Sequence, residues 1–476
     1  MRPTSRSTLA VAALGTMLAL VSFSAPVASI GPISAALGAD VAGRTWMLSA
    51  MSIGLGASLL TAGTLADDRG RRRVFVVGLV VLAVASILGA LATTPLVFTV
   101  SRAAQGVGNA AVVAASLGLI AAAFAPGPER ARASGVWGAS VGAGIMVGPL
   151  VTSELERYAS WRYAYALIAL AALVLAVVAR RRVPESSRAV PRGLDLPGAV
   201  TFALAVCAFL AGLVEGRLGW TQPVVVELFV AAAALFGAFV LVELRSPRPM
   251  LDLRLLRERG FVAATVAAFA AGAGVIALVQ NLPVFLGQAL GVPATTSAYL
   301  AVVWSATSVV TALAARWLPM QMPGRAQLGI GLLGVAVGQL TMAFVGPTWS
   351  WVAFVPGMLI AGVFSGLLNA ALGREAVATV PEGEGAMGSG ANNTARYLGS
   401  AVGVTVVAVI AAGGQDASVT GLVTSWNHAA LVTVLVSLVG GLVALALREP
   451  RKPAAAPHTE PLPEQIVGTS RPPDGN

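Results

Sequence analysis

The sequence predicts an all-α integral membrane protein made of two six-helix bundles with two further helices inserted between them. Hydrophobic residues fill 57% of the 476 positions and charged ones only 11%, with a mean hydropathy of +0.81, whereas soluble domains are about 25% charged. The apolar residues also fall in long runs parted by short polar gaps. About 20 such residues cross a bilayer core, and only helices or closed barrels satisfy the backbone there. Third, Ser134-Gly135 followed by Gly144 recurs as Ser389-Gly390 followed by Gly399, eight predicted helices later. Repeats of six helices with two inserted between the copies give that shift, and parallel repeats about an axis along the membrane normal are a common carrier design.

The runs predict fourteen helices, at 9–30, 45–66, 74–93, 95–123, 133–155, 161–180, 196–214, 222–243, 261–283, 297–318, 326–345, 350–370, 387–412 and 426–447. Arg2, Arg6 and the run from Leu9 to Ile30 also contain the parts of a secretory signal, but the run is long enough to span. With the N-terminus in the cytoplasm, the basic residues fall on cytoplasmic loops and tails. The exceptions are Arg44, Arg157, Arg162 and Arg217 outside, and Arg102 and Arg396 within helices. That asymmetry orients the chain, and an even helix count brings the C-terminus back inside. The expected organisation is a first bundle at 1–193, inserted helices 7 and 8 at 194–259, a second bundle at 260–447 and a disordered cytoplasmic tail at 448–476, rich in Pro with little to bury.

Composition excludes several classes of function. The net charge of +10 is spread beside apolar spans, without the aromatic-interleaved basic face of a nucleic-acid binder. Cys207 is the only cysteine and His428 and His458 the only histidines, which leaves no thiolate site and argues against histidine-based catalysis or metal binding. No GxxxxGK[ST] phosphate loop occurs. The expectation is therefore a non-enzyme without cofactor or ATP. Its partners are a small-molecule substrate and the lipid bilayer, with no nucleic acid and no protein partner evident.

Between the second and third runs lies GTLADDRGRRR, from Gly63 to Arg73. Gly63, Leu65, Ala66, Asp67, Arg69, Gly70, Arg71 and Arg72 match G-x-L-a-D-r-x-G-r-r, and the stretch resembles the signature loop of the major facilitator superfamily. The resemblance implies that Asp67 holds the outward-facing state by lying against the positive N-terminus of helix 13, near Ala386.

Predicted helix 4 carries Arg102, Gln105, Asn109 and Ser116 on one face. At 1.5 Å per residue from Pro95, Arg102 lies about 10 Å deep, where a charge turns to a bundle interior or watery cavity. Ser101 to Gly108 resembles the superfamily's R-x-x-q-G-x-g motif, whose arginine is implicated in proton transfer. Helix 5 contains Gly138, Gly142, Gly144 and Gly148-Pro149, small residues that permit close packing and a proline that permits a kink. These resemble the antiporter motif, except that Thr152-Ser153 replaces its final glycine pair. Asn392, Arg396 and Ser400 form a second polar stripe on helix 13. Ser297, Trp304, Ser308 and Thr311 on helix 10, with Gln280-Asn281, complete an expected central cavity, mostly apolar with a few polar groups, although Trp304 taken alone reads as packing. Fourteen-helix drug:proton antiporters usually carry an aspartate in helix 1, where this chain has Ser24. The preferred proton carrier is Glu154, paired with Arg102.

The resemblance covers about 9–447 and implies proton-coupled efflux of hydrophobic or amphipathic compounds by alternating access. A metabolite or siderophore uptake carrier and a non-transporting membrane receptor are the competing readings.

Overall fold

The computed structural model describes residues 3–187, 193, 195–315, 322–413 and 418–447, and among these every regular element is helical. The tail expected to be disordered lies outside them. The first traverse is broken into α1 (Pro3–Ser24) and α2 (Pro26–Leu37), because Pro26 has no N–H to donate to the Ser22 carbonyl. There follow α3 (Val41–Arg69), α4 (Arg71–Ala90), α5 (Pro95–Ala123), α6 (Pro128–Tyr158), α7 (Trp161–Arg182), α8 (Leu196–Leu218) and α9 (Pro223–Arg245). Beyond a 3-10 turn at Leu253–Arg257, α10 (Arg259–Ala270) runs through a widened π turn at Ala271–Ile276 into α11 (Ala277–Leu290). The chain closes with α12 (Ala294–Ala314), α13 (Gly324–Thr341), α14 (Val355–Ala378), α15 (Gly385–Gly413) and α16 (Val419–Ala446).

Twelve helices among the described residues are long and apolar enough to cross a membrane, against the fourteen expected. Outside these twelve stand α12, a 21-residue helix whose stretch Tyr299–Ala314 is apolar, and α13, diluted by Arg325, Gln327, Gln339 and several glycines.

Helix starts follow the capping rules. Asp40 accepts the Gly43 N–H at 2.7 Å, Thr94 that of Val97 at 3.3 Å and Ser418 that of Gly421 at 3.1 Å, each satisfying one of the orphan donors of a first turn. Packing joins the two halves along two seams. In one, α3 and α5 cross α15; in the other, α6 crosses α12 and α14. At the first seam a Cβ on Gly63 would come within 2.9 Å of the Met387 Cα, so only glycine lets these backbones meet. The inserted α8 and α9 pack on each other, and α8 also lies on α3 and α15. α9 shows Val226, Val230, Leu241 and Leu244 outward, a face suited to lipid tails.

Candidate functional site

The charged turn links two halves of the molecule. Gly70 bends the chain at φ +116, a conformation that glycine alone adopts without strain. This leaves Asp67 and Arg71, both buried, on one side of the turn. Arg71 Nε donates to Asp67 Oδ1 at 2.8 Å, while Asp67 also accepts the N–H groups of Ala386 at 3.2 Å and Met387 at 2.8 Å. Asp67 therefore caps the first turn of α15 from the opposite half, where a carboxylate is favoured by the helix dipole. Arg71 Nη2 then donates to the Gly383 carbonyl at 2.8 Å. Arg72 and Arg73 pair with Glu185 at 3.5 and 3.7 Å. The partner Glu185 was not anticipated from sequence, since it lies far along the chain just after α7.

The polar face of α5 does not line a cavity as expected; it is spent on α1. Arg102, 1% exposed, donates through Nη1 to the Ser22 carbonyl at 2.8 Å and to Gln105 Oε1 at 2.7 Å, and through Nη2 to the Phe23 carbonyl at 3.2 Å. The Ser22 carbonyl is the one that Pro26 deprives of its helical donor, so the guanidinium replaces a missing backbone bond. Gln105 in turn donates to Ser86 Oγ at 2.9 Å, and Asn109 Nδ2 to the Ala19 carbonyl at 2.9 Å. The expected Arg102–Glu154 pair is not formed. Glu154 faces outward from α6 and the backbone carbonyls of α1 take its place as partner. The sequence signal was available in Pro26, four residues beyond Ser22.

On α6, Gly144 and Gly148 lie against α1, where Ser24 Oγ donates to the Gly144 carbonyl at 3.3 Å, and Gly138 lies against Ala370 of α14. The glycines thus pack one helix between both halves, with Pro149 inside it. In the second half, Asn392 donates to the Ala264 carbonyl at 3.0 Å. Arg396 is buried with its Nε unbonded. Trp304 belongs to the core rather than to a cavity: it is 2% exposed and donates to Ser365 Oγ at 3.2 Å. Trp304→Phe is expected to lose that bond, about 1 kcal/mol, and to leave transport near wild type; a thermal melt and an export assay on the same sample check both.

Two clefts open between the halves: one of about 870 Å³ at the charged-turn end, lined by Arg71 and Arg130 from the first half and by Arg374 and Glu382 from the second, and one of about 240 Å³ at the opposite end. Phe23, Ser49 and Ser52 line the latter from the first half, Gln280, Asn281 and Ser400 from the second, and Arg217 from the inserted α8. Arg217 Nε donates to Thr405 Oγ1 at 3.1 Å, so the inserted α8 reaches α15 of the second half.

A two-half helical bundle of this kind, joined by a clamp at the charged-turn end and cleft between its halves, is built as a membrane carrier. Residues 12–404 match the family model of the Major Facilitator Superfamily, and the chain belongs to that family, as a multi-pass membrane transporter of small molecules and not an enzyme. It is similar to the multidrug resistance protein Stp of Mycobacterium tuberculosis, 31% identical over 80% of this chain and 70% of that one. It also resembles the puromycin resistance protein pur8 of Streptomyces alboniger, 31% identical over 88% and 86%. With the cephamycin export protein CmcT of Amycolatopsis lactamdurans it shares 28% over 96% and 95%. Among solved structures the human organic anion transporter MFSD10 superposes with a TM-score of 0.64 at 17% identity, covering 92% of this chain and 100% of that one.

Proposed function

We propose that the chain exports hydrophobic or amphipathic compounds, antibiotics among them, by alternating access driven by protons entering the cell. The observation that carries the reading is the clamp of Asp67 on the first turn of α15 at one end with the cleft between the halves at the other. A recess of about 870 Å³ also stands at the clamped end; the backbone bonds of the clamp beside it are what favour loading or emptying at the opposite side. The resistance and export proteins at about 30% identity support this direction and this class of cargo. In this reading the first bundle is 1–193, the inserted pair 194–259 and the second bundle 260–447, with α12 and α13 spanning as well to give fourteen crossings. Both termini and the charged turn are cytoplasmic, and the cleft faces outward. No cofactor takes part.

A deletion strain tested against a panel including puromycin and a cephamycin is expected to gain sensitivity to at least one apolar compound, restored by the plasmid-borne gene. Unchanged sensitivity across the panel would remove the export reading. The orientation has its own check. On a Cys207→Ser background, a cysteine introduced within 180–187 should react with an impermeant maleimide only after the membrane is broken, whereas labelling in intact cells would invert the topology.

A further inference from the structure

Two carboxylates meet where the inserted helices reach the charged-turn end. Asp195 caps α8, with Oδ1 accepting the Gly198 N–H at 2.9 Å. Glu243, in the last turn of α9, accepts the Leu251 N–H through Oε2 at 3.2 Å. Both side chains are buried, Glu243 being 4% exposed and Asp195 9%. Their second oxygens, Glu243 Oε1 and Asp195 Oδ2, are enclosed and accept no hydrogen bond. A Cβ added at Gly198 would stand 2.8 Å from the first of these atoms and 3.1 Å from the second. The two unpartnered oxygens thus converge on one spot that glycine leaves open.

The charged surroundings do not supply the missing donor. Arg245 and Arg248 line a surface recess beside Asp195, yet neither bonds to the orphan oxygens. On the other side Asp67, Asp68 and Glu384 share a small void with Asp195, and of these Asp67 is already bonded to Arg71. Buried polar atoms are normally hydrogen-bonded, and a buried charge without a partner costs several kcal/mol. Two carboxylates facing each other in one enclosed space meet that cost twice and repel as well. A single proton held beside Gly198 eases both difficulties, since it neutralises one of the two charges and supplies a donor where the orphan atoms have none.

We propose that Glu243 and Asp195 hold one proton between them, forming a proton-binding site carried by the inserted helices. The proton is taken from water at the charged-turn end and returned to it; no other bond changes. As with other interacting carboxylates, the titration belongs to the pair. Losing the proton leaves two buried negative charges on either side of Gly198 at the junction of α8 and α9. The neighbouring void is lined by Thr64 and Asp67 of α3 and by Met387 of α15, the same helices that the clamp joins. Deprotonation therefore loads the clamp from the side. This coupling rests on the reading of proton-driven export, while the proton site itself does not.

The test is infrared spectroscopy of the full-length protein in lipid nanodiscs, titrated from about pH 5 to 9. The wild type should show the C=O stretch of a protonated carboxyl that vanishes on alkalinisation, and both Glu243→Gln and Asp195→Asn should remove it. Each amide replaces the shared proton with an N–H donor, so folding, followed by thermal melt, should persist. A wild type without the band, or a band that survives either substitution, would overturn the proposal; if a variant does not fold, the wild-type titration alone decides. Substrate-induced proton release measured on the same samples separates the two readings. A wild type with the band but no gradient-driven export keeps the site and ends the export reading. Undiminished release in Glu243→Gln, with export intact, ends only the coupling.

Discussion

Arg102→Ala is expected to abolish export. The substitution strips donors from the Ser22 and Phe23 carbonyls and from Gln105 Oε1, all within a protein interior. A buried acceptor left unpaired costs about 1–3 kcal/mol, and the Ser22 carbonyl has no second chance because Pro26 cannot donate to it. The break between α1 and α2, which shapes one wall of the cleft through Phe23 and Pro26, should lose its fixed angle. Arg102→Lys keeps the charge but not the planar fork. Losing one charge-assisted bond of about 1.5–3 kcal/mol should leave about a tenth of the wild-type rate or less. Efflux from loaded vesicles, with a melt to report folded protein, checks both; full export by Arg102→Ala would show that the break needs no guanidinium.

Asp67→Asn is expected to shift the protein toward the state open at the charged-turn end. The carboxylate serves two backbone donors of α15 and the buried Arg71 at once. An amide keeps at most part of this and leaves Arg71 without its counter-charge. A carboxylate at a partly buried helix N-terminus is worth up to about 2 kcal/mol, which biases a two-state equilibrium up to about thirtyfold. Ser389 is enclosed on α15, its hydroxyl on the Val113 carbonyl of α5 at 3.4 Å, so Ser389→Cys on the Cys207→Ser background reports opening. Maleimide labelling there should rise with Asp67→Asn and export should slow. Asp68→Asn should change neither. Equal labelling in the Asp67 variant would dissociate the clamp from the conformational equilibrium.

The clamp was legible in the sequence because the turn's spacing is tight and resembles a family pattern: Asp67 lies at Ala386 as expected. The helices were legible too, since apolar runs of spanning length leave few alternatives. Failures came where a polar group could choose between partners. A one-dimensional stripe such as Arg102, Gln105 and Asn109 shows that a helix face is polar, but not whether it meets water or another helix's free carbonyls. Depth alone suggested Glu154 as the partner, whereas the proline break in α1 offered acceptors nearer at hand. Trp304 shared its spacing with polar neighbours, yet taken alone it pointed to packing, and it does pack into the core with Ser365 meeting its N–H. The pairing of Asp195 with Glu243 could not be read at all, because it depends on how α8 and α9 close against each other around Gly198.

Export driven by protons moving the other way is open to a direct measurement. Everted membrane vesicles, whose outer surface is the cytoplasmic one, offer the most direct measurement when their lumen is made acidic and a compound from the sensitivity screen is added. The account predicts that the compound accumulates inside while the lumen turns alkaline at a matching rate, and that Arg102→Ala does neither. Accumulation that ignores the gradient, or that appears only in right-side-out vesicles, would contradict it.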